Sequence, residues 1–240
     1  MEKYNVYVTT SDRYLPALLP FSWLFNRYWG NDVDVVVCGF SAPGFDMPSN
    51  FRFISIGRQS DYPFNRWSDA LIWVLNNVWT EEAGILMLED YWLTRHVDRH
   101  AVQILFDYII QFRYVLKIDL TGDRLYAFGA DLEYNTVEYV DLIKSMPGSP
   151  YHSSLMTGIW RRDLLLRCLV PNESPHDFEM IGTTRVSHMQ DMIVLGSRQW
   201  PAKHSLGLRG GDSSKLLLDG LKQSDVDEMR ALGYFERWET

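Results

Sequence analysis

Cysteine, positive charge and long apolar runs are all scarce in this 240-residue chain. Cys38 and Cys168 are its two cysteines, which excludes a disulfide framework and a paired-cysteine zinc site. The net charge is −8, which disfavours a large nucleic-acid footprint. No apolar run is long enough to span a bilayer, and the N-terminus enters a strand pattern without a signal-like segment. We therefore expect a soluble protein of the reducing cytoplasm.

Several common catalytic signatures are missing as well. No glycine-rich loop of the P-loop or dinucleotide type follows the first predicted strand, and no nucleophile elbow occurs. These absences exclude the usual motif-bearing nucleotide and acyl-transfer enzymes. Hydrophobic residues make up 46% of the chain and charged residues 22%, which is typical of one globular domain.

Strand and helix patterns alternate along most of the chain and predict a mixed α/β layer fold. Strands are expected at residues 4–9, 33–38, 51–56, 85–88, 115–120, 153–159, 192–195 and 200–203. Helices are expected at residues 15–28, 67–78, 97–112, 161–169 and 173–181, and Pro20 should kink or delay the first of them. An amphipathic helical tail is expected at residues 215–232, with Gly233 as its C-terminal cap.

The stretch GILMLEDYWL, residues 84–93, ends an apolar strand in two adjacent carboxylates, Glu89 and Asp90. A strand with apolar residues on both faces belongs in a parallel sheet between helix layers, and ligands bind at the carboxyl ends of such strands. Carboxylates at that edge suit Mg²⁺ or Mn²⁺ held against a phosphate. They also suit a plain strand end, and the stretch alone leaves both interpretations open.

A second candidate segment is KHSLGLRGGD, residues 203–212. His204 is a candidate metal ligand because it follows a predicted strand and precedes three glycines, Gly207, Gly210 and Gly211. Backbone amides of such a loop can cradle phosphate, with Arg209 as a charge-assisted donor. A glycine-rich turn explains the same residues, and on the sequence alone it is the favoured explanation.

Two further carboxylates, Asp177 and Glu179, lie in NESPHDFEMIG at the start of a predicted short helix. The helix dipole favours ionised carboxylates there, and such a group can accept a proton from an acceptor hydroxyl as a general base. Acidic residues are also common in first helical turns without any chemistry. The spacing alone favours that second explanation.

Three runs together resemble a known family: FNRWSDALIWVLNN, then GILMLEDYWLTRHVD, then SLMTGIWRRDLLLRCLVPNESPHDFEMIG. In this order and spacing they resemble small bacterial and phage glycosyltransferases of the nucleotide-sugar-transferase fold called GT-A. The similarity extends from Tyr4 to about His204. It implies a single-domain, Rossmann-like, mostly parallel sheet flanked by helices. Residues 1–125 would be the nucleotide-sugar-binding half, 126–212 the acceptor and catalytic half, and 213–240 the helical tail.

The resemblance also implies a nucleotide-diphosphate-sugar donor and a divalent cation, Mg²⁺ or Mn²⁺, that bridges its diphosphate. Thr9, Thr10 and Asp12 fall in the loop that would meet the nucleotide. Arg66 and Trp67 fall in the segment expected near the diphosphate or the sugar.

In the same comparison, Glu89 and Asp90 take the place of the family's metal-binding carboxylates, and Glu179 that of the general base of an inverting enzyme. The family usually separates its two aspartates by one residue, whereas these two carboxylates are adjacent. Neighbouring side chains on a strand point to opposite faces. We therefore expect Asp90 to be the main ligand, with Glu89 either a second ligand or a group that orients a ribose or an acceptor.

Three functions remain open at this point. The leading one is transfer of a sugar to an acceptor hydroxyl, either of a surface glycan or, as in phage relatives, of a hydroxymethylated DNA base. A nucleotidyltransferase that makes the nucleotide sugar is the second. A noncatalytic protein that binds nucleotide sugars or glycans is the third.

Overall fold

Nine strands form the central sheet of the computed structural model, which describes residues 4–122, 131–209 and 212–239, with the backbone alone at residues 131, 209 and 212. Their spatial order is β3-β2-β1-β4-β9-β6-β10-β8-β7. The strands are β1 (Val6–Thr9), β2 (Val35–Gly39), β3 (Phe51–Ser55), β4 (Ala83–Leu88), β6 (Val115–Asp119), β7 (Asp131–Val137), β8 (Val140–Ser145), β9 (Gly158–Arg161) and β10 (Ile193–Ser197). Seven of them run in one direction, while β8 and β9 run against it, so the predicted mixed and mostly parallel sheet is confirmed.

Helices cover both faces of this sheet and bury two separate apolar cores. The helices α1 (Leu18–Tyr28) and α3 (Arg99–Gln111) pack on one face, while α2 (Trp67–Asn77) and the helix Arg162–Cys168 pack on the other. Pro20 lies in the first turn of α1, where its missing N–H breaks no helical bond. Short 3₁₀ turns at Leu15–Ala17, Gln59–Asp61 and Phe64–Arg66 precede α1 and α2.

The apolar strands lie where the sequence predicts them. The strands β2 and β4 are buried along almost their whole length because helices cover both of their faces. Thr9, at the end of β1, pairs with Cys38 of β2 on one side and with Leu88 of β4 on the other. The loops that leave these three strands therefore meet at one edge of the sheet.

The helical segment after residue 173 is longer than predicted. It comprises Pro175–Asp177, a π-helical turn at Phe178–Gly182 and the helix Thr183–Ser187. A π turn inserts one extra residue into the helical winding and is frequent at functional sites. It changes the face on which the residues after Phe178 project.

Three sequence predictions are wrong in part. Residues 153–157 form turns rather than a strand, because the Ser154 carbonyl and the Leu155 amide bond to side chains instead of a neighbouring strand. The strand predicted at residues 200–203 lies later, as β11 (His204–Leu206), which pairs with β5 (Tyr91–Leu93). His204 therefore begins a strand instead of following one.

The C-terminal tail is the third difference. Residues 212–216 form β13 (Asp212–Leu216), which pairs with β12 (Leu208–Arg209), and the helix begins only at Gln223 and ends at Ala231. The Trp238 indole of the final short helix, Glu236–Glu239, donates to the Ser213 carbonyl at 2.8 Å and holds this strand in place. Gly233 has φ +75° and ends the longer helix as predicted.

In the part of the chain that the structure describes, no helix is both long and apolar enough to cross a bilayer.

Candidate functional site

The candidate site lies at the edge of the sheet where β1 and β4 end side by side. Thr10 follows β1, and Glu89 and Asp90 follow β4. Because Thr9 and Leu88 are partners in parallel strands, the next residue of each strand is also a neighbour. The structure thus brings together the threonines and the carboxylates that the sequence placed 80 residues apart.

Glu89 is buried and contacts the end of β1. The Thr10 hydroxyl, which donates to the Ser11 carbonyl at 3.3 Å, and the Ser11 amide both lie beside its carboxylate. Burial raises the pKa of Glu89 well above its usual value, and the neighbouring Asp90 charge raises it further, while the nearby Thr10 hydroxyl and Ser11 amide lower it. Glu89, at the end of β4, therefore lies against the residues that follow β1.

Asp90 follows Glu89 and is half-buried. Burial raises the pKa of Asp90 to about 6. Its backbone carbonyl accepts a hydrogen bond from the Gly207 amide at 2.8 Å, so the loop after β4 is held by the loop after β11. An ideal Cβ on Gly207 would lie 2.1 Å from the Trp92 ring, which explains why a glycine occupies this position.

A cavity of about 190 Å³ opens directly beside these carboxylates. Thr9, Thr10, Ser11, Glu89 and Asp90 form its polar end, and the buried Thr9 Oγ1 has no hydrogen-bond partner among the described residues. Its other walls are mainly apolar and aromatic, and they include Tyr14, Phe40, Ile56, Tyr62, Phe64, Trp67, Leu71 and Pro175. This combination of an apolar slot with a few polar groups at one end is typical of a small-molecule site.

Asp12 and Arg66 support the cavity from outside its lining. The Asp12 carboxylate accepts hydrogen bonds from the Ser41 amide and hydroxyl at 2.8 and 2.9 Å, which connects the loops after β1 and β2. Arg66 forms an ion pair with Asp69 at 2.8 Å and lies over the Tyr62 ring. In the structure both residues fix loops, whereas Trp67 lines the cavity itself.

Asp177 forms a helix cap, which is a structural role. The Ser174 amide and hydroxyl both donate to its carboxylate, at 3.0 and 2.7 Å, and the Asp177 amide donates back to the Ser174 hydroxyl at 3.1 Å. These bonds hold the pKa of Asp177 below its usual value. One oxygen of the Asp177 carboxylate therefore accepts both Ser174 bonds and serves the cap.

Glu179 lies one helical turn beyond Pro175, which lines the cavity. Its carboxylate accepts a hydrogen bond from the Leu155 amide at 2.8 Å, and the Thr183 hydroxyl donates to its backbone carbonyl at 2.6 Å. Burial raises the pKa of Asp119 at the end of β6, and the Glu179 charge raises it further. Glu179 therefore lies at the same carboxyl edge of the sheet as Glu89 and Asp90, but further along it.

A buried ion pair between Lys117 and Asp119 is the site feature that the sequence analysis missed. Both side chains come from β6, and the Lys117 ammonium also donates to the Ser154 carbonyl at 2.6 Å and lies 4.9 Å from the centre of the Trp160 ring. An ideal Cβ on Gly158 would lie 2.7 Å from Lys117 Cε, so the lysine fits because β9 begins with a glycine. The signal was a lysine and an aspartate two residues apart, which share one face of the strand VLKID.

His204 stacks on Tyr91 with ring centres 4.3 Å apart, and its Nδ1 lies 3.3 Å from the Thr157 hydroxyl. Its Nε2 is buried and has no hydrogen-bond partner among the described residues. Burial lowers the pKa of His204 to about 3, which keeps the ring neutral, as a metal ligand must be. Gly210, Gly211 and the Arg209 side chain lie outside the described residues.

The carboxylates suit a divalent cation that is shared with a substrate phosphate. Within residues 4–122, 131–209 and 212–239, no three His, Cys, Asp or Glu side chains are grouped closely enough to hold a metal by themselves. Mg²⁺ commonly takes one or two carboxylates and completes its shell with phosphate oxygens and water. A cation would also favour the ionised forms of Glu89 and Asp90, whose pKa values are raised by burial. The donor set therefore fits this kind of ion.

No protein-family model and no curated protein sequence matches the chain. Among solved structures, a UTP-bound UGPase from Acinetobacter baumannii superposes with a TM-score of 0.50 and 11% identity, over 98% of this chain and 94% of that one. S. aureus TarS, residues 1–349, gives a TM-score of 0.48 and 15% identity, over 80% of this chain and 58% of that one. The galactosyltransferase LgtC in complex with donor and acceptor sugar analogs gives a TM-score of 0.38 and 11% identity, over 68% of this chain and 59% of that one. The chain therefore has the α/β fold of the UTP-bound UGPase, as expected from the resemblance to the GT-A fold.

Proposed function

We propose that this protein is a glycosyltransferase that moves a sugar from a nucleotide diphosphate to an acceptor hydroxyl. The observation that carries the proposal is the cavity at the ends of β1 and β4. It combines an apolar and aromatic slot with two threonines and two carboxylates at one end. The GT-A-like fold and the motifs that resemble small bacterial and phage glycosyltransferases support the same conclusion.

The donor would lie along this cavity. Its base would lie in the apolar part beside Trp67, and its phosphates would lie at the polar end. There the Thr9 hydroxyl, which has no hydrogen-bond partner among the described residues, could bond a phosphate oxygen. Glu89, fixed between Thr10 and Ser11, would orient the ribose. We propose that Asp12 and Arg66 contribute by holding the surrounding loops.

Asp90 would hold the divalent cation, with His204 as a second ligand and Glu89 as its neighbour. When bound, such an ion neutralises the charge that develops on the leaving diphosphate. Without it, the desolvated Asp90 carboxylate would repel the donor's phosphates.

Glu179 would act as the general base. It takes the proton of the acceptor hydroxyl while that oxygen attacks the anomeric carbon, and the bond from that carbon to the diphosphate oxygen breaks. The electron pair of the broken bond leaves with the nucleoside diphosphate. Attack from the opposite face inverts the anomeric configuration.

The acceptor class follows from charge. A net charge of −8 opposes a polyanionic acceptor, so we propose a glycan hydroxyl rather than a modified DNA base. Equal or faster transfer to hydroxymethylated DNA than to glycan acceptors would reverse this choice.

The direct test measures donor binding and nucleoside diphosphate release by the pure protein. We expect at least one UDP-, dTDP-, GDP- or ADP-sugar to bind in calorimetry and to be slowly hydrolysed, with hydrolysis abolished by EDTA and restored by Mn²⁺ or Mg²⁺. The absence of binding and turnover for all of these donors would refute the proposal.

Two matched variants separate binding from chemistry. Asp90→Asn should abolish metal-dependent donor binding. Glu179→Gln should keep donor binding and lower the transfer rate at least about a hundredfold, the usual contribution of a general base. Glu133→Gln removes a carboxylate from β7 and serves as the control. If Asp177→Asn shows the transfer defect while Glu179→Gln does not, the base assignment is wrong.

Two outcomes would identify the other functions. Release of pyrophosphate from a nucleoside triphosphate and a sugar 1-phosphate would identify a nucleotidyltransferase. Tight donor binding without any turnover during prolonged incubation with metal would identify a noncatalytic nucleotide-sugar-binding protein.

A further inference from the structure

A second, wider cleft lies on the outer side of α1 and shares no lining residue with the donor cavity. Its volume is about 560 Å³, and it opens between α1, the loop after β2 and the C-terminal helical segment. Its walls carry two aromatic rings, Trp23 and Tyr234, together with the polar side chains of Asn26, Asp46 and Glu228. We call it the Trp23 cleft.

The aromatic wall of the Trp23 cleft is fixed in place. The Arg27 guanidinium carbon lies 4.8 Å from the centre of the Trp23 ring. The same guanidinium bonds Asp225 and Glu228, each at 3.0 Å, and the Tyr28 hydroxyl donates to the buried Asp225. A surface that is rigid before the ligand arrives loses little conformational freedom on binding.

The backbone turn after the helix Gln223–Ala231 brings the second ring to the cleft. Gly233 adopts φ +75°, a left-handed conformation that favours glycine, and the following Tyr234 amide donates to the Met229 carbonyl at 3.0 Å. The turn thus folds the chain back on the helix. Tyr234 reaches the cleft wall opposite α1 as a result.

The polar groups of the cleft keep hydrogen-bonding capacity for a ligand. The amides of Asn26 and Asn50 bond each other at 3.1 and 2.9 Å, which leaves one N–H and one lone pair on Asn26. Asp46 is exposed, and within the described part of the chain its carboxylate forms no hydrogen bond or ion pair. The cleft therefore offers both donors and acceptors.

The charge of the cleft narrows the ligand class. Among the described lining residues Arg27 is the one cation, against the carboxylates of Asp46 and Glu228. Behind them, the Asp225 carboxylate is offset by Lys222, whose ammonium lies 4.9 Å from the centre of the Tyr28 ring. The excess of negative charge opposes phosphate, sulfate and uronate groups. An aromatic face suits the C–H face of a pyranose, and amide and carboxylate groups suit its hydroxyls. We propose that the Trp23 cleft binds a neutral oligosaccharide.

The test uses the full chain and four neutral probes: maltotetraose, cellotetraose, chitotetraose and mannotetraose. We expect saturation-transfer NMR to detect at least one of them, and calorimetry to give its affinity. Trp23→Ala should weaken that affinity at least about tenfold, the loss of one well-placed ring contact. Trp73→Ala, which removes a tryptophan from α2 on the other face of the sheet, should leave the affinity unchanged.

Circular dichroism establishes that each variant folds, and Tyr234→Leu replaces Trp23→Ala if the latter does not. The proposal is overturned if none of the four probes binds, if both ring variants bind as the wild type does, or if sulfated maltotetraose binds more tightly than maltotetraose. Displacement of the sugar by UDP would place it in the donor cavity and would also overturn the proposal. The test requires no transferase activity, so its result is independent of the proposed function.

Discussion

Removal of the Lys117 charge should destabilise the fold strongly, and removal of its partner as well should restore much of the loss. Lys117 is fully buried and Asp119 nearly so, and both belong to a central strand. Lys117→Met keeps the aliphatic stem that lies beside Gly158 and deletes only the ammonium group. The Asp119 carboxylate then remains buried without its counter-ion.

The size of the effect follows from the burial of the pair. Leaving one member of a buried ion pair uncompensated costs about 3–5 kcal/mol. A domain typically has about 5–15 kcal/mol of unfolding free energy, so a third or more of the stability is at stake. The double variant Lys117→Met with Asp119→Asn contains no buried charge at this position. We expect its unfolding free energy to fall by at least about 2 kcal/mol less than the sum of the decreases in the two single variants.

Urea unfolding, monitored by far-UV circular dichroism, gives the unfolding free energies of the wild type, the two single variants and the double variant. In wild type, Lys117 lowers the pKa of Asp119, whereas burial and the Glu179 charge raise it. Without Lys117 the folded pKa of Asp119 rises further above the unfolded value, so its destabilisation is present above that pKa and is relieved as pH falls through it. Lys117→Met should therefore lower the unfolding free energy by less at pH 5 than at pH 8. Additive losses, or a loss under about 1 kcal/mol for Lys117→Met, would refute the reasoning.

Three further changes test other parts of the structure. Burial lowers the pKa of His152 to about 4, so the unfolded chain binds a proton that the native state excludes. As the pH falls from 6.5 toward 4, the unfolding free energy of the wild type should fall by up to about 3 kcal/mol relative to that of His152→Asn, which keeps an acceptor for the Ser145 hydroxyl. Urea titrations of both proteins across this pH range check the prediction, and an equal pH dependence of the two unfolding free energies would contradict it. Ser174→Ala removes the capping box and should cost about 1 kcal/mol, measured as a lower Tm in calorimetry; an unchanged Tm would speak against the cap. Gly207→Ala places a methyl group against Trp92, so the loop after β4 must shift, and calorimetry should show weaker donor binding; intact binding would show that the loop tolerates the shift.

The strands of the sheet were predictable because their burial on both faces leaves a strong apolar signal. The runs at β2 and β4 are examples, since almost every residue in them is buried. The C-terminal tail was not predictable in the same way. Residues 215–232 have a helix-like apolar spacing, but the strand β13 is stabilised by β12 and by Trp238, which is distant in sequence. Local periodicity carries no information about such partners.

The residues of the candidate site were likewise predictable only in part. Glu89 and Asp90 stood out because charge follows an apolar strand abruptly, and the structure places both in the lining of one cavity; their roles stay a prediction. Asp177 was grouped with Glu179 by proximity, whereas the hydrogen bonds of Ser174 assign it to a helix cap. Lys117 escaped notice because apolar residues dominate β6, although its partner Asp119 lies two residues further along and shares its face of the strand.

The pairing of β5 with β11 has a consequence for synthesis of the chain. The loop that carries Asp90 is held by the Gly207 amide, more than a hundred residues later. The antiparallel strand β9 also separates β4 from β6 at the centre of the sheet. A nascent chain that has emerged only through β6 contains most of the donor cavity, but neither of these two supports. Loops that close over such distances form slowly, so donor affinity should appear on the ribosome abruptly, only after residue 207 has left the exit tunnel.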